Sequence, residues 1–169
     1  FQKNYIYFPL SQDFFSCKEF SDSETLVLNG SRAYFKKDSQ DLVVFYHGNA
    51  GSACDRYFLK NEFGKLNLSY IFVEYTGYAG DSRKPSKRKL MKDVENINTF
   101  INEQKFENIT IMGESLGASL ALYHSSLTSE NKVLLINPFY KVSDIAKRNY
   151  ALYPVSLLLT EDYDNSKWI

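Results

Sequence analysis

The sequence predicts an α/β domain, a mostly parallel sheet with helices on both faces. Three observations carry that prediction. Continuous apolar, β-branched or aromatic runs at residues 42–46, 70–75 and 132–138 have the composition of strands buried on both sides. Between the last two, Leu90, Val94, Ile97 and Ile101 recur at steps of four, three and four, the spacing of a helix with one face on a sheet. Residues 108–122 read as a short apolar strand, a sharp Gly-x-Ser-x-Gly turn and an amphipathic helix. Strands alternating with helices of this length build a parallel sheet.

In chain order, residues 1–10 are apolar and aromatic and close at Pro9, as expected of an edge segment laid across the domain. Residues 14–20 and 25–35 carry alternating apolar positions around Asn29-Gly30, a dipeptide suited to a two-residue hairpin turn. The strand at 42–46 runs into the small-residue loop His47-Gly48-Asn49-Ala50-Gly51-Ser52, which opens a helix of about 15 residues through Leu66. The strand at 70–75 runs into a glycine-containing loop at 76–82, and Pro85-Ser86 start the next helix. After the turn at Gly113–Gly117, a buried strand at 132–138 is stopped by Pro138. Short helices are expected at 143–150 and 155–159, followed by a solvated acidic tail at Asp162 and Asp164. With no internal repeat or linker, residues 1–169 read as a single domain. The rhythm makes a further strand due after Ile169, so the sheet is expected to be incomplete at its C-terminal side.

Twenty basic and twenty acidic residues cancel, so bulk charge favours neither nucleic acid nor an anionic membrane. Thirteen Tyr and thirteen Phe are assigned to core and satellite packing. Cys17 and Cys54 show no metal-ligand spacing and read as two buried free thiols rather than a bridge. No apolar run reaches the length of a membrane span, and no motif for a metal or an organic cofactor is present.

Ser115 is the residue with the sharpest chemical signal. It stands between glycines two positions away on each side, where a Cβ would collide with the crossing strand and helix. The helix that follows offers unpaired N–H groups and positive potential to a developing oxyanion. The bland alternative is a structural serine in a tight turn.

His47-Gly48-Asn49-Ala50-Gly51 after one strand and Gly113-Glu114-Ser115-Leu116-Gly117 after a later one together resemble the α/β-hydrolase superfamily. Within it, the chain is similar to the Bem46-like and ABHD17-like serine hydrolases, through residues 1–9, the loop at 74–82 and Lys84-Pro85-Ser86. Thr76 stands where that loop usually has arginine, so a local salt bridge is expected to be missing. The resemblance implies Ser115 as nucleophile and the Leu116 N–H as one oxyanion donor. The second donor would come from Asn49, with Ala50 as the alternative, and His47 would be a structural residue of that loop. No cofactor and no metal are implied. The resemblance also implies possible membrane anchoring by a helix preceding Phe1, and otherwise a cytoplasmic protein.

The superfamily order is serine, then acid, then histidine. After Ser115 the only histidine is His124, nine residues on and about 180° round the helix, and the first aspartate is Asp144. The triad acid and base are therefore expected beyond Ile169, and this chain alone is expected to turn over weakly or not at all. Glu114, Glu74 and Glu161 are possible surrogate carboxylates, with Glu114 expected to tune or merely solvate the turn. The expected reaction is acyl hydrolysis of an ester, thioester or amide in a small-molecule or acylated substrate. The alternatives are a non-catalytic interaction protein that kept the turn, and a peptidase akin to serine aminopeptidases. Residues 133–136 would form an exposed apolar edge, expected to be covered by a further segment, another chain or a neighbouring copy.

Overall fold

The computed structural model describes residues 3–10, 12–129, 131–149 and 159–168. The chain enters through a four-residue helix α1 (Lys3–Ile6) and a two-residue strand β1 (Phe8–Pro9). A hairpin follows, β2 (Glu24–Leu28) and β3 (Ser31–Lys36), then β4 (Asp41–Tyr46) and the two-residue β5 (Ala50–Gly51). Helix α2 (Tyr57–Lys65), strand β6 (Ser69–Glu74), helix α3 (Lys87–Gln104), strand β7 (Asn108–Glu114) and helix α4 (Leu116–Ser126) come next. Strand β8 (Lys132–Ile136) and helix α5 (Val142–Asn149) complete the elements that concern the site.

The main sheet has the order β2-β3-β6-β4-β7-β8. The β2–β3 and β3–β6 pairs are antiparallel and the others parallel, which confirms the mostly parallel sheet. Asn29 and Gly30, at φ 50° and 88°, make the hairpin turn with both central residues left-handed, as the right-handed twist of the flanking strands requires. Alternation sorts each central strand onto two faces. Leu42, Val44 and Tyr46 of β4 join Ile71 and Val73 of β6 against Leu90, Val94, Ile97 and Ile101 of α3 and Leu116 and Leu120 of α4. Val43, Phe45, Tyr70 and Phe72 face the other way, against Phe63 of α2 and the aromatic Phe14 and Phe20. Ser86 caps α3, its hydroxyl accepting from the Lys89 N–H at 3.4 Å.

Several expectations are corrected. Cys17 and Cys54 are not free thiols; they form a disulfide across 37 residues of sequence. Once residues 12–17 lie along the loop after β4, the two sulfurs meet, and Gln12 also donates to the Cys54 Sγ at 3.1 Å. Residues 14–20 form two 3₁₀ turns, Phe14–Ser16 and Lys18–Phe20, because their apolar spacing suits an irregular strap as well as a strand. The helix after β4 begins as a 3₁₀ turn, Cys54–Arg56, before α2. Strand β8 is where the sequence puts it; it does not lie buried but forms the apolar edge expected at residues 133–136, the edge of the sheet among the described residues, with Leu134 47% exposed.

The tail is not simply solvated either. Asp162 accepts from the Ser143 N–H at 2.9 Å, and Asp164 pairs with Lys141 at 2.9 Å. Glu161 accepts from Tyr7 Oη at 2.7 Å and from the Lys87 N–H at 2.5 Å, which fastens the tail to the start of α3. The helix expected at 155–159 lies almost wholly outside the described residues. No helix among the described residues is long and apolar enough to cross a membrane.

Candidate active site

Parallel register sets the site. Tyr46 pairs with Gly113 and Glu114 with Ile136, so β4, β7 and β8 end together and their following loops share one end of the sheet. Ser115 sits at the β7–α4 junction with φ 52° and ψ −110°, outside the regions open to a residue with a Cβ. Its N–H donates to the Ile136 carbonyl at 2.9 Å and its carbonyl accepts from the Ala118 N–H at 2.9 Å, which over-determines the turn. Leu116 is the first residue of α4, so its N–H has no acceptor within the helix.

The glycines on either side have no room for a side chain. A Cβ on Gly113 would lie 2.3 Å from the Gly117 carbonyl oxygen, and one on Gly117 would lie 2.1 Å from the Tyr46 carbonyl oxygen. Both obstacles are backbone and cannot swing aside. Gly117→Ala is expected to destabilise the protein by about 3–5 kcal/mol in urea unfolding, above the usual range for overpacking. A change under about 1 kcal/mol would contradict the tight crossing of α4 over β4.

The loop after β4 is held through four consecutive carbonyls. That of His47 accepts from Tyr75 Oη at 2.5 Å, and that of Gly48 is 2.7 Å from His47 Nδ1. That of Asn49 accepts from the Phe8 N–H at 3.0 Å and Tyr78 Oη at 2.9 Å, and that of Ala50 from Arg56 Nη2 at 3.4 Å. In a trans peptide the N–H points opposite to the preceding carbonyl. The Ala50 N–H therefore points away from Phe8 and Tyr78, and the Asn49 N–H away from the His47 ring. The Asn49 side chain is occupied elsewhere, donating to the Ile6 carbonyl at 3.0 Å.

Neither histidine is placed at Ser115. His47 is fully buried, stacked on Tyr75 at 4.0 Å between ring centroids, with Nε2 3.3 Å from Glu74 Oε1. Glu74 also accepts from the Ala53 N–H at 2.9 Å, so this carboxylate holds both ends of the loop rather than serving Ser115. His124 is buried under α4, with Nδ1 2.8 Å from Tyr46 Oη and Nε2 3.3 Å from Asn98 Oδ1.

Burial pushes the His124 ring from 6.5 down to about 4. Between those values the unfolded chain binds a proton that the folded chain refuses. The stability contributed by the neutral ring is thus complete above about pH 6.5 and lost as pH falls to about 4, by roughly 3 kcal/mol. His124→Gln is expected to flatten this acid limb in urea unfolding at a series of pH values; an unchanged limb would refute it.

Glu114 does more than meet solvent. Arg56 Nε and Nη2 donate to its two carboxylate oxygens at 2.9 and 3.0 Å, and these bonds hold it below the usual carboxylate range against the effect of burial. No arginine stands at Thr76, but Arg32 from β3 supplies one to the same loop, donating to the Tyr78 and Ala79 carbonyls at 2.5 and 3.0 Å. Thr76 itself donates to the buried Asp93 through N and Oγ1, both at 2.8 Å. The Arg56–Glu114 and Glu74–His47 pairs escape sequence reasoning because their partners are 58 and 27 residues apart. Among the described residues, the donors close enough to hold a metal are Cys17, Glu19 and Cys54, two of which are joined in the disulfide.

Residues 32–151, well over half of the chain, match a family described as alpha/beta hydrolases of unknown function (DUF1057). The chain belongs to that alpha/beta hydrolase family. It is 28% identical over 128 residues to the uncharacterized protein Rv2307c of Mycobacterium tuberculosis, a match covering 74% of this chain and 46% of the relative. This alpha/beta hydrolase chain thus spans about half the length of the curated relatives it matches. An alpha-beta hydrolase from Vibrio vulnificus superposes with TM-score 0.64 at 23% identity, covering 85% of this chain and 56% of that one. The Pyrococcus furiosus esterase Pf2001 superposes with TM-score 0.66 at 15% identity, covering 90% and 64%. At these identities the solved structures establish the fold, an alpha/beta hydrolase sheet.

Proposed function

We propose that the protein is a serine hydrolase that cleaves an ester or thioester through an acyl-enzyme, with Ser115 as nucleophile. The observation that carries this reading is the strained backbone of Ser115 at a strand–helix junction, between two glycines whose Cβ positions are filled by backbone. Strain of this kind persists only where the surroundings impose it, and it turns the hydroxyl outward at the end of the sheet. In the reaction, Oγ attacks the carbonyl carbon and the bond to the leaving oxygen or sulfur breaks. The Oγ proton passes by way of a base to the leaving group, and water then releases the acid. The oxyanion is met by the Leu116 N–H and by Asn49 or Ala50, each donor worth roughly 3–4 kcal/mol in the transition state. The base and its acid come from sequence outside residues 1–169, since both histidines here are engaged elsewhere. The Pyrococcus furiosus neighbour is an esterase, which supports the choice of an ester over a peptide.

A fluorophosphonate probe tests the reading on the full-length protein. Wild type is expected to be labelled and Ser115→Ala to be blank. Equal labelling of the two would remove Ser115 as nucleophile, and an unlabelled wild type would favour a non-catalytic scaffold.

A further inference from the structure

The residue just before the candidate nucleophile is tied to the loop opposite it. Glu114 is the last residue of β7, so a single peptide bond links its position to that of Ser115. Its carboxylate takes two hydrogen bonds from Arg56, whose Nη2 also reaches the Ala50 carbonyl at 3.4 Å. The same carboxylate is faced by the Gly48 N–H, and a Cβ on Gly48 would lie 3.1 Å from Glu114 Oε1. The loop is therefore referenced to Glu114 on both sides of Asn49: directly at Gly48, and through the guanidinium at Ala50. Arg56 ends the 3₁₀ turn that closes this loop, so its side chain spans the interval between the loop and β7.

We infer that Glu114 and Arg56 are a positioning pair that keeps the Gly48–Ala50 loop in register with Ser115, acting on turnover rather than on substrate binding. This rests on the serine-hydrolase reading above. A planar, forked guanidinium suits the task, because its rigidly spaced donors hold both carboxylate oxygens side by side while one of them also reaches a carbonyl. The donors of an ammonium rotate about a single point and fix no such register. The pair is partly solvated, with side chains 18% and 30% exposed, and ion pairs of this kind contribute little to stability. Geometry is different: a displacement of an oxyanion donor by about 1 Å can cost about 100-fold in rate. Stability and turnover should therefore respond to the pair on different scales.

The test uses the full-length protein with a short-chain nitrophenyl ester, comparing wild type, Arg56→Ala, Arg56→Lys, Glu114→Gln and Ser115→Ala. Arg56→Ala is expected to lower kcat by about 10- to 100-fold with KM within about twofold and Tm within about 3 °C. Arg56→Lys and Glu114→Gln should fall between it and wild type. Added guanidinium at millimolar concentration should recover part of the kcat of Arg56→Ala, where equimolar potassium chloride does not. An unchanged kcat in Arg56→Ala, or a fall in kcat matched by a loss of Tm without guanidinium recovery, would overturn the inference while an inactive Ser115→Ala leaves the hydrolase reading standing. A Ser115→Ala protein that still hydrolyses the ester would overturn both.

Discussion

Replacing Ser115 with glycine is expected to abolish ester hydrolysis by the full-length protein and at the same time to raise its melting temperature by about 2–4 °C. On the proposed reading, the loss of activity follows from removing the attacking oxygen and should reach about 10⁴-fold or more. The gain in stability has a separate cause. At φ 52° and ψ −110° any Cβ is strained, at a cost of about 1–3 kcal/mol, and glycine relieves it. Glycine also widens the unfolded ensemble, which takes back about 1 kcal/mol and leaves a net gain of about that size. Ser115→Ala keeps the Cβ and should lose activity without gaining stability. Thermal scans of the three proteins side by side decide the matter, and equal melting temperatures for the glycine and alanine variants would remove the strain argument.

Reduction of the Cys17–Cys54 disulfide is expected to lower Tm by about 10 °C. The bridge closes a loop of 37 residues, and chain-entropy reasoning assigns such a closure about 3–4 kcal/mol. The residues it joins are otherwise held by the aromatic cluster of Phe14, Phe20, Tyr34 and Phe72 and by a few hydrogen bonds, such as that from the Phe14 N–H to the Ala79 carbonyl at 3.1 Å. Scans with and without a dithiol reductant, and of a Cys17→Ser, Cys54→Ser double variant, measure the effect. Coincident transitions would show that the strap stays in place without the bond.

Much of the frame was readable because local rules and the global fold agree. Asn29-Gly30 announces its turn, Ser86 its helix, and the steps from Leu90 to Ile101 the face that α3 buries. The turn at Ser115 was readable for the same reason, since strand, glycines and helix are contiguous in sequence. What escaped depends on distant residues meeting. Nothing near Cys17 signals Cys54, because the two sulfurs approach only after residues 12–17 have been laid along the loop after β4. Nothing near Glu114 signals Arg56. Strand β8 lies between these cases: Lys-Val-Leu-Leu-Ile has the composition of a buried strand, and its place at the exposed edge follows only from the sheet order that the resemblance implies. Asp162 departs from expectation because acidic residues in a polar stretch are usually solvated, whereas this one accepts from the backbone N–H of Ser143.

On the function proposed above, the four tethered carbonyls of the loop at His47–Ala50 bear on when the cost of meeting a charge is met. Water around a forming oxyanion must turn its dipoles at the moment of reaction, and that reorientation is part of the barrier. Peptide dipoles already fixed by Tyr75, His47, Tyr78, Phe8 and Arg56 cannot turn back between turnovers. Their orientation is set once, when the chain folds, and the loop then behaves as a patch of frozen solvent. On that reading the expense is moved from the reaction coordinate to the folding equilibrium.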